Sequence, residues 1–120
     1  MTSQDFLNNL WRWKCGLPEM QEKETYSVEI LEKTQWSEEF EQLMRNRLIF
    51  GAYRYGLLND SSKPKWNRKK AILARAQKYC DTHNLELLVD VANLCLLEFV
   101  EGKNPRRHWD SVDDGEHVTI

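Results

Sequence analysis

The chain has 120 residues, of which 41% are hydrophobic and 30% charged, and a formal net charge of −2. This profile suits one soluble domain with a single core; it has no basic excess to favour nucleic acid or an anionic membrane, and no apolar run long enough to span a bilayer. Cys15, Cys80 and Cys95 are odd in number and lack CxxC spacing, and the start MTSQDFLNNLWRWKC has neither the basic opening nor the apolar run of a signal peptide, so a reduced, cytoplasmic setting is expected.

Ser3 is placed to cap a first helix that runs to about Lys14 and is stopped by Gly16 and Pro18. The stretch from Glu19 to Gln35 is polar, and its TYSVEIL centre fits a short strand or a helical turn equally well. Ser37 then reads as an N-cap, with Glu38 and Glu39 in the first turn where the helix dipole favours acids. This helix should reach Tyr55 and end at Gly56. NDSSKP, residues 59–64, is a loop by composition, and a third helix begins at Trp66 or Asn67. Its Ile72, Leu73, Ala76, Tyr79 and Cys80 recur at helical spacing, and Asn84 breaks it. A fourth helix, ELLVDVANLCLLEF and its flanks, extends from about Leu85 to Glu101 and closes at Gly102. The tail KNPRRHWDSVDDGEHVTI is polar and irregular. The expected architecture is a single all-α domain over residues 1–120. It has an N-terminal helix and polar segment (1–35), a helical core (36–102) and a polar tail (103–120), in a bundle of four to five helices. The five tryptophans are expected to pack at helix junctions.

The fourth helix carries the informative anomaly. Its residues are almost all apolar, yet Glu86, Asp90 and Asn93, spaced four then three, fall on one stripe. A carboxylate among apolar residues is costly unless paired. Arg47 and Arg54 on the second helix are two turns apart and fall within its apolar side, with Gly51 between them to admit a neighbouring backbone or a ligand. Two readings follow. One is a structural ion pair of Arg47 or Arg54 with Asp90 that fixes helix register. The other is a site in which the arginines hold phosphate and the carboxylates hold a divalent metal or a ribose.

Three pieces resemble a known family when taken together: RNRLIFGAYRYG (residues 45–56), NLELLVDVANLCLLEF (residues 84–99), and GKNPRRHW followed by two aspartates and a histidine (residues 102–117). They are similar to small bacterial and phage proteins of the all-α nucleotide pyrophosphohydrolase, or MazG-like, type, over about half of the chain. The resemblance implies a helical bundle completed by oligomerisation and a Mg²⁺-dependent cleavage of nucleoside triphosphates between the α- and β-phosphates, the metal being gathered by EExxE and ExxD carboxylates. Carried over, Glu38 and Glu39 stand for the paired acids, Glu41 lies beside a third position that holds Gln42, and Glu86 and Asp90 stand for the second motif with one extra residue between them. On this reading Arg47 and Arg54 bind phosphate and Asn93 orients metal, water or base. Tyr53 and Tyr55 stack on a base or merely finish the helix. Glu38, Glu39, Glu41, Glu86 and Asp90 are the candidate Mg²⁺ ligands. The altered acid set leaves activity open, and the alternative is a non-enzymatic phage accessory, anti-defence protein that sequesters a nucleotide or binds a host protein.

Other features carry less. KPKWNRKK (residues 63–70) is a solvated basic loop or a flap over phosphate. His108, Asp110, Asp113, Asp114 and His117 show no tight ligand spacing. The cleft is expected between the second and fourth helices. Cys95 is expected to be buried and inert and Cys15, at a helix end, to be the most reactive thiol.

Overall fold

The computed structural model describes residues 26–111 and residue 120; the predicted helix over 3–14, Cys15, and tail residues Asp113, Asp114 and His117 lie outside them. The chain falls into two compact units, residues 1–36 with 106–120, and residues 37–105. In the first unit, helix α1 (Val28–Thr34) is seven residues long and has no buried residue. Ser27 caps it, its Oγ accepting from the Ile30 N–H at 3.2 Å. Of the ambiguous TYSVEIL stretch, Val28 to Leu31 are therefore helical, because Ser27 just ahead of them satisfies a first-turn donor that a strand would not present.

The second unit contains helices α2 (Glu38–Tyr55), α3 (Arg68–Thr82) and α4 (Glu86–Glu101). Among the described residues every regular element is a helix, as the periodicity implied. Each boundary has a chemical cause. Ser37 Oγ accepts from the Phe40 N–H at 3.1 Å and starts α2. Gly56 ends it at φ 109°, a region closed to other residues without strain, and a Cβ there would stand 2.9 Å from Asp60 Oδ2. Asn67 Oδ1 accepts from the Lys70 N–H at 3.1 Å and starts α3. That helix ends on His83, whose left-handed φ of 58° makes the break one residue earlier than Asn84. Asn84 instead serves α4, its Oδ1 accepting from the Glu86 N–H at 3.1 Å.

Helix α4 is the centre of this unit and packs against both α2 and α3. The three-residue link over 83–85 makes α3 and α4 a helical hairpin. Ion pairs join the start of α3 to the end of α4 (Arg68–Glu101) and its middle to the first turns of α4 (Arg75–Asp90). Among the described residues the buried ones, Leu87, Val89 and Asn93, all belong to α4. Among the described helices α2 and α3 cover two sides of α4, and on its third side Leu88 and Cys95 are exposed. This corrects the expectation that Cys95 is buried. The face predicted for α3 also divides: Ile72 and Tyr79 are half-buried, whereas Leu73, Ala76 and Cys80 are exposed. No neighbouring backbone among the described residues approaches Gly51; nothing there stands within 4 Å of the place its Cβ would take. No helix among the described residues is long and apolar enough to cross a membrane.

Candidate functional site

The polar stripe of α4 meets both neighbouring helices. From α2, Arg47 spreads its guanidinium over the two acids: Nη1 donates to Glu86 Oε1, and Nη2 donates to Asp90 Oδ1 at 2.6 Å. From α3, Arg75 Nε stands 3.5 Å from Asp90 Oδ2. Asp90 is therefore the hub, with one carboxylate oxygen turned to each helix. Its side chain is 20% exposed against 59% for Glu86, so its charge is the less screened of the two. Hydrogen bonding to Glu86 is the main reason the Arg47 pKa rises above its ordinary value; partial burial opposes this and the nearby Asp90 charge adds to it.

Asn93 lies one turn further along. Its Nδ2 donates to the Met44 carbonyl of α2 at 3.0 Å, and its buried Oδ1 has no hydrogen-bond partner among the described residues. It thus ties α4 to the backbone of α2, and its amide oxygen remains a buried acceptor.

The open volume lies on the other side of this stripe. A cleft of about 420 Å³ runs between α3 and α4, with Ala74 and Leu87 as its apolar lining and Arg75, Lys78, Asn84, Glu86 and Asp90 as its polar lining. At the junction of α2 and α4, where the cleft is expected from the sequence, the Arg47 guanidinium lies on Glu86 and Asp90. Positions 74, 75 and 78 share one face of α3, as 86, 87 and 90 share one face of α4, so the lining follows from helical spacing alone. Lys78 makes no ion pair among the described residues. Arg75 and Lys78 went unnoticed in the sequence because they sit in an ordinary amphipathic helix; the signal was that both face the acid stripe once α3 and α4 form a hairpin.

The remaining candidates stand apart from the cleft lining. Arg54 is exposed on α2 and makes no ion pair among the described residues. Tyr53 is 93% exposed, and Tyr55 packs edge-on against Trp66 with ring centroids 5.2 Å apart. Glu38 and Glu39 are exposed in the first turn of α2, and Glu41 pairs with Arg45 at 3.0 Å. Among the described residues no group of three or more His, Cys, Asp or Glu side chains stands together as a metal site, so these acids do not gather with Glu86 and Asp90 into one set. His108 Nε2 lies 3.5 Å from Asp110.

A second charged cluster escaped sequence reasoning. Glu101, the last residue of α4, accepts from Lys63 Nζ at 2.8 Å, from the Asn59 N–H at 2.7 Å and from Arg68 Nη2 at 2.7 Å. The three side chains are only 8–12% exposed. Burial alone would raise the Glu101 pKa, but the hydrogen bonds from Lys63 and Asn59 and the charges of Lys63 and Arg68 outweigh it and hold the carboxyl below its ordinary value. Two members of the basic run KPKWNRKK are thus neither solvated nor a flap over phosphate. The readable signal was an acid closing an apolar helix while a basic loop lay unassigned.

The chain matches no family model, and no curated protein and no solved structure matches it. The functional reading rests on the geometry above.

Proposed function

We propose that this protein binds a phosphorylated small molecule of nucleotide size in the cleft between α3 and α4. The observation that carries the reading is the pairing of two cations on one wall, Arg75 and Lys78, with two acids on the other, Glu86 and Asp90, along an open and mostly polar groove. Arg75 presents a planar fork suited to phosphate, and Lys78 adds a mobile point charge. Glu86, the more exposed acid, is placed to accept from a ribose hydroxyl or to hold Mg²⁺ brought in with the phosphates. Phosphate contacts therefore move from Arg47 and Arg54 to Arg75 and Lys78, while Arg47 sets the position of the two acids. In this reading the protein is of the MazG-like type, acts as a homo-oligomer, and cleaves a nucleoside triphosphate only if Mg²⁺ joins the acids.

The test is calorimetric titration of common nucleotides with and without Mg²⁺, beside a pyrophosphate-release assay. Binding that is lost in Lys78→Ala and Arg75→Ala supports the reading, and absence of binding by any phosphorylated compound removes it. The second reading, a non-enzymatic protein with a host-protein partner, is favoured by one observation: the Arg47 fork is already occupied by Glu86 and Asp90, as a purely structural network requires. It predicts no pyrophosphate release and no effect of Mg²⁺.

A further inference from the structure

Helix α2 has two apolar faces, and the fold uses one. Met44, Leu48, Gly51 and Ala52 are half-buried, and the Met44 carbonyl is bonded to α4 through Asn93. Leu43, Asn46, Phe50 and Tyr53 follow one another at intervals of three, four and three residues and are all exposed. Phe50 is 67% and Tyr53 93% exposed, and Ile49 beside them is 65% exposed. A period of 3.5 residues is the seam along which two helices pack by interdigitating side chains. Asn46 is the one polar residue of the four, and its Oδ1 is already satisfied within the helix by Gln42 Nε2 at 2.8 Å.

Charge along the helix selects the occupant. Glu38, Glu39 and Glu41 occupy its first turn, and Arg54, which makes no ion pair among the described residues, stands in its last. A second copy laid parallel would set acids beside acids and arginine beside arginine. Laid antiparallel, each Arg54 meets the acidic turn of the other copy and the helix dipoles oppose.

We propose that the exposed face of α2 packs antiparallel on α2 of a second copy about a twofold axis. In this register Leu43 lies opposite the partner subunit's Tyr53, and Asn46 lies opposite the partner subunit's Phe50. Every seam residue then has a counterpart, as an isologous interface demands. The inference specifies the homo-oligomer in the reading above and is independent of what the cleft binds.

The full-length protein is measured by size exclusion with light scattering over a concentration series. The expected mass is twice the 14.3 kDa of one chain. Phe50→Glu and Tyr53→Glu alter side chains already in solvent, so each is expected to keep its helical signal and melting behaviour while shifting to one chain's mass. Arg54→Glu is expected to weaken association about tenfold, the effect of roughly 1.4 kcal/mol. Addition of Glu38→Lys and Glu39→Lys to Arg54→Glu should restore it. A wild-type mass of one chain at every concentration overturns the proposal, and means that the face is covered by another partner or stays bare. A dimer that survives Phe50→Glu but dissociates with Phe99→Glu also overturns it and moves the interface to α4. Ligand titration of monomeric Phe50→Glu reads the cleft separately, so failure there leaves the dimer result standing.

Discussion

The two charged clusters on α4 use the same kinds of side chain and differ in what they leave open. At its C-terminal end, Glu101 is enclosed by Lys63, Arg68 and a backbone N–H, with the three side chains withdrawn from solvent. At its N-terminal end, Asp90 and Glu86 share Arg47 and Asp90 also faces Arg75; the two arginine side chains are 42% and 44% exposed, and a cleft opens beside them. The first cluster is closed in hydrogen-bonding terms and ties the loop over 56–67 to α4. The second is half-saturated and wet. A closed ion cluster costs heavily when one member is removed, because the remaining charges are stranded away from water. An open one loses little stability, since water replaces the missing partner, and its groups remain available to a ligand.

Substitution at Glu101 tests the first half of that contrast and should give the largest effect. Glu101→Gln leaves Lys63 and Arg68 without a counter-charge and is expected to cost about 3 kcal/mol. A thermal melt should show this as a fall of about 12 °C or more in Tm; a fall under about 4 °C would make the two clusters equivalent. Acid titration sharpens the same point. The Glu101 pKa is lower in the folded protein than its ordinary 4.5, so the stability it confers is complete above that value and is lost as pH falls through the folded value. Chemical denaturation from pH 6 downward should show the wild type losing stability on acidification, and Glu101→Gln should flatten that slope.

Asp90→Asn is expected to come next, because its carboxylate is the hub of the open cluster yet still partly hydrated. The cost should be about 1.5 kcal/mol by denaturant unfolding, and ligand affinity should fall at the same time. A loss as large as that for Glu101→Gln would mark the cluster as core architecture and weaken the assignment of the cleft. Arg75→Ala and Lys78→Ala should each change stability by less than about 0.5 kcal/mol and lower phosphate-ligand affinity about tenfold or more in calorimetry. Glu86→Gln should have the smallest structural effect, near zero in a melt, because Arg47 keeps Asp90 and the remaining amide is in water.

The helices of the core were legible because their ends carry local chemistry. Ser37 and Asn67 cap their helices as the N-cap rules place them, Gly56 ends α2 at positive φ, and the apolar run of α4 announces the centre of the unit. The stripe Glu86, Asp90 and Asn93 was legible for the same reason, since helical spacing is a property of one segment. Partners across helices were not. Arg47 and Arg54 look alike two turns apart, and only the crossing of α2 over α4 decides that Arg47 reaches the acids while Arg54 faces solvent. Arg75 and Lys78 became visible only when the left-handed His83 turned α3 back along α4. The exposure of Cys95 is not legible in the sequence, because apolar composition tells how much surface wants cover and says nothing of how many neighbours are present to cover it.

The short link over 83–85 has a consequence for the order in which the unit assembles. Contacts between α3 and α4 close over few residues, whereas those between α2 and α4, such as Arg47 with Asp90, span a loop of more than forty. Loop closure costs more entropy for the longer span. The α3–α4 hairpin is therefore expected to form first and offer Asn93 as a fixed donor, onto which α2 docks last through the Met44 carbonyl. Within this unit α2 packs chiefly on α4, whereas α3 and α4 hold each other through the hairpin. The amide hydrogens of α2 should exchange with solvent deuterium by a local opening that leaves α3 and α4 protected, so the helix bearing the exposed seam can detach without unfolding the hairpin that forms the cleft.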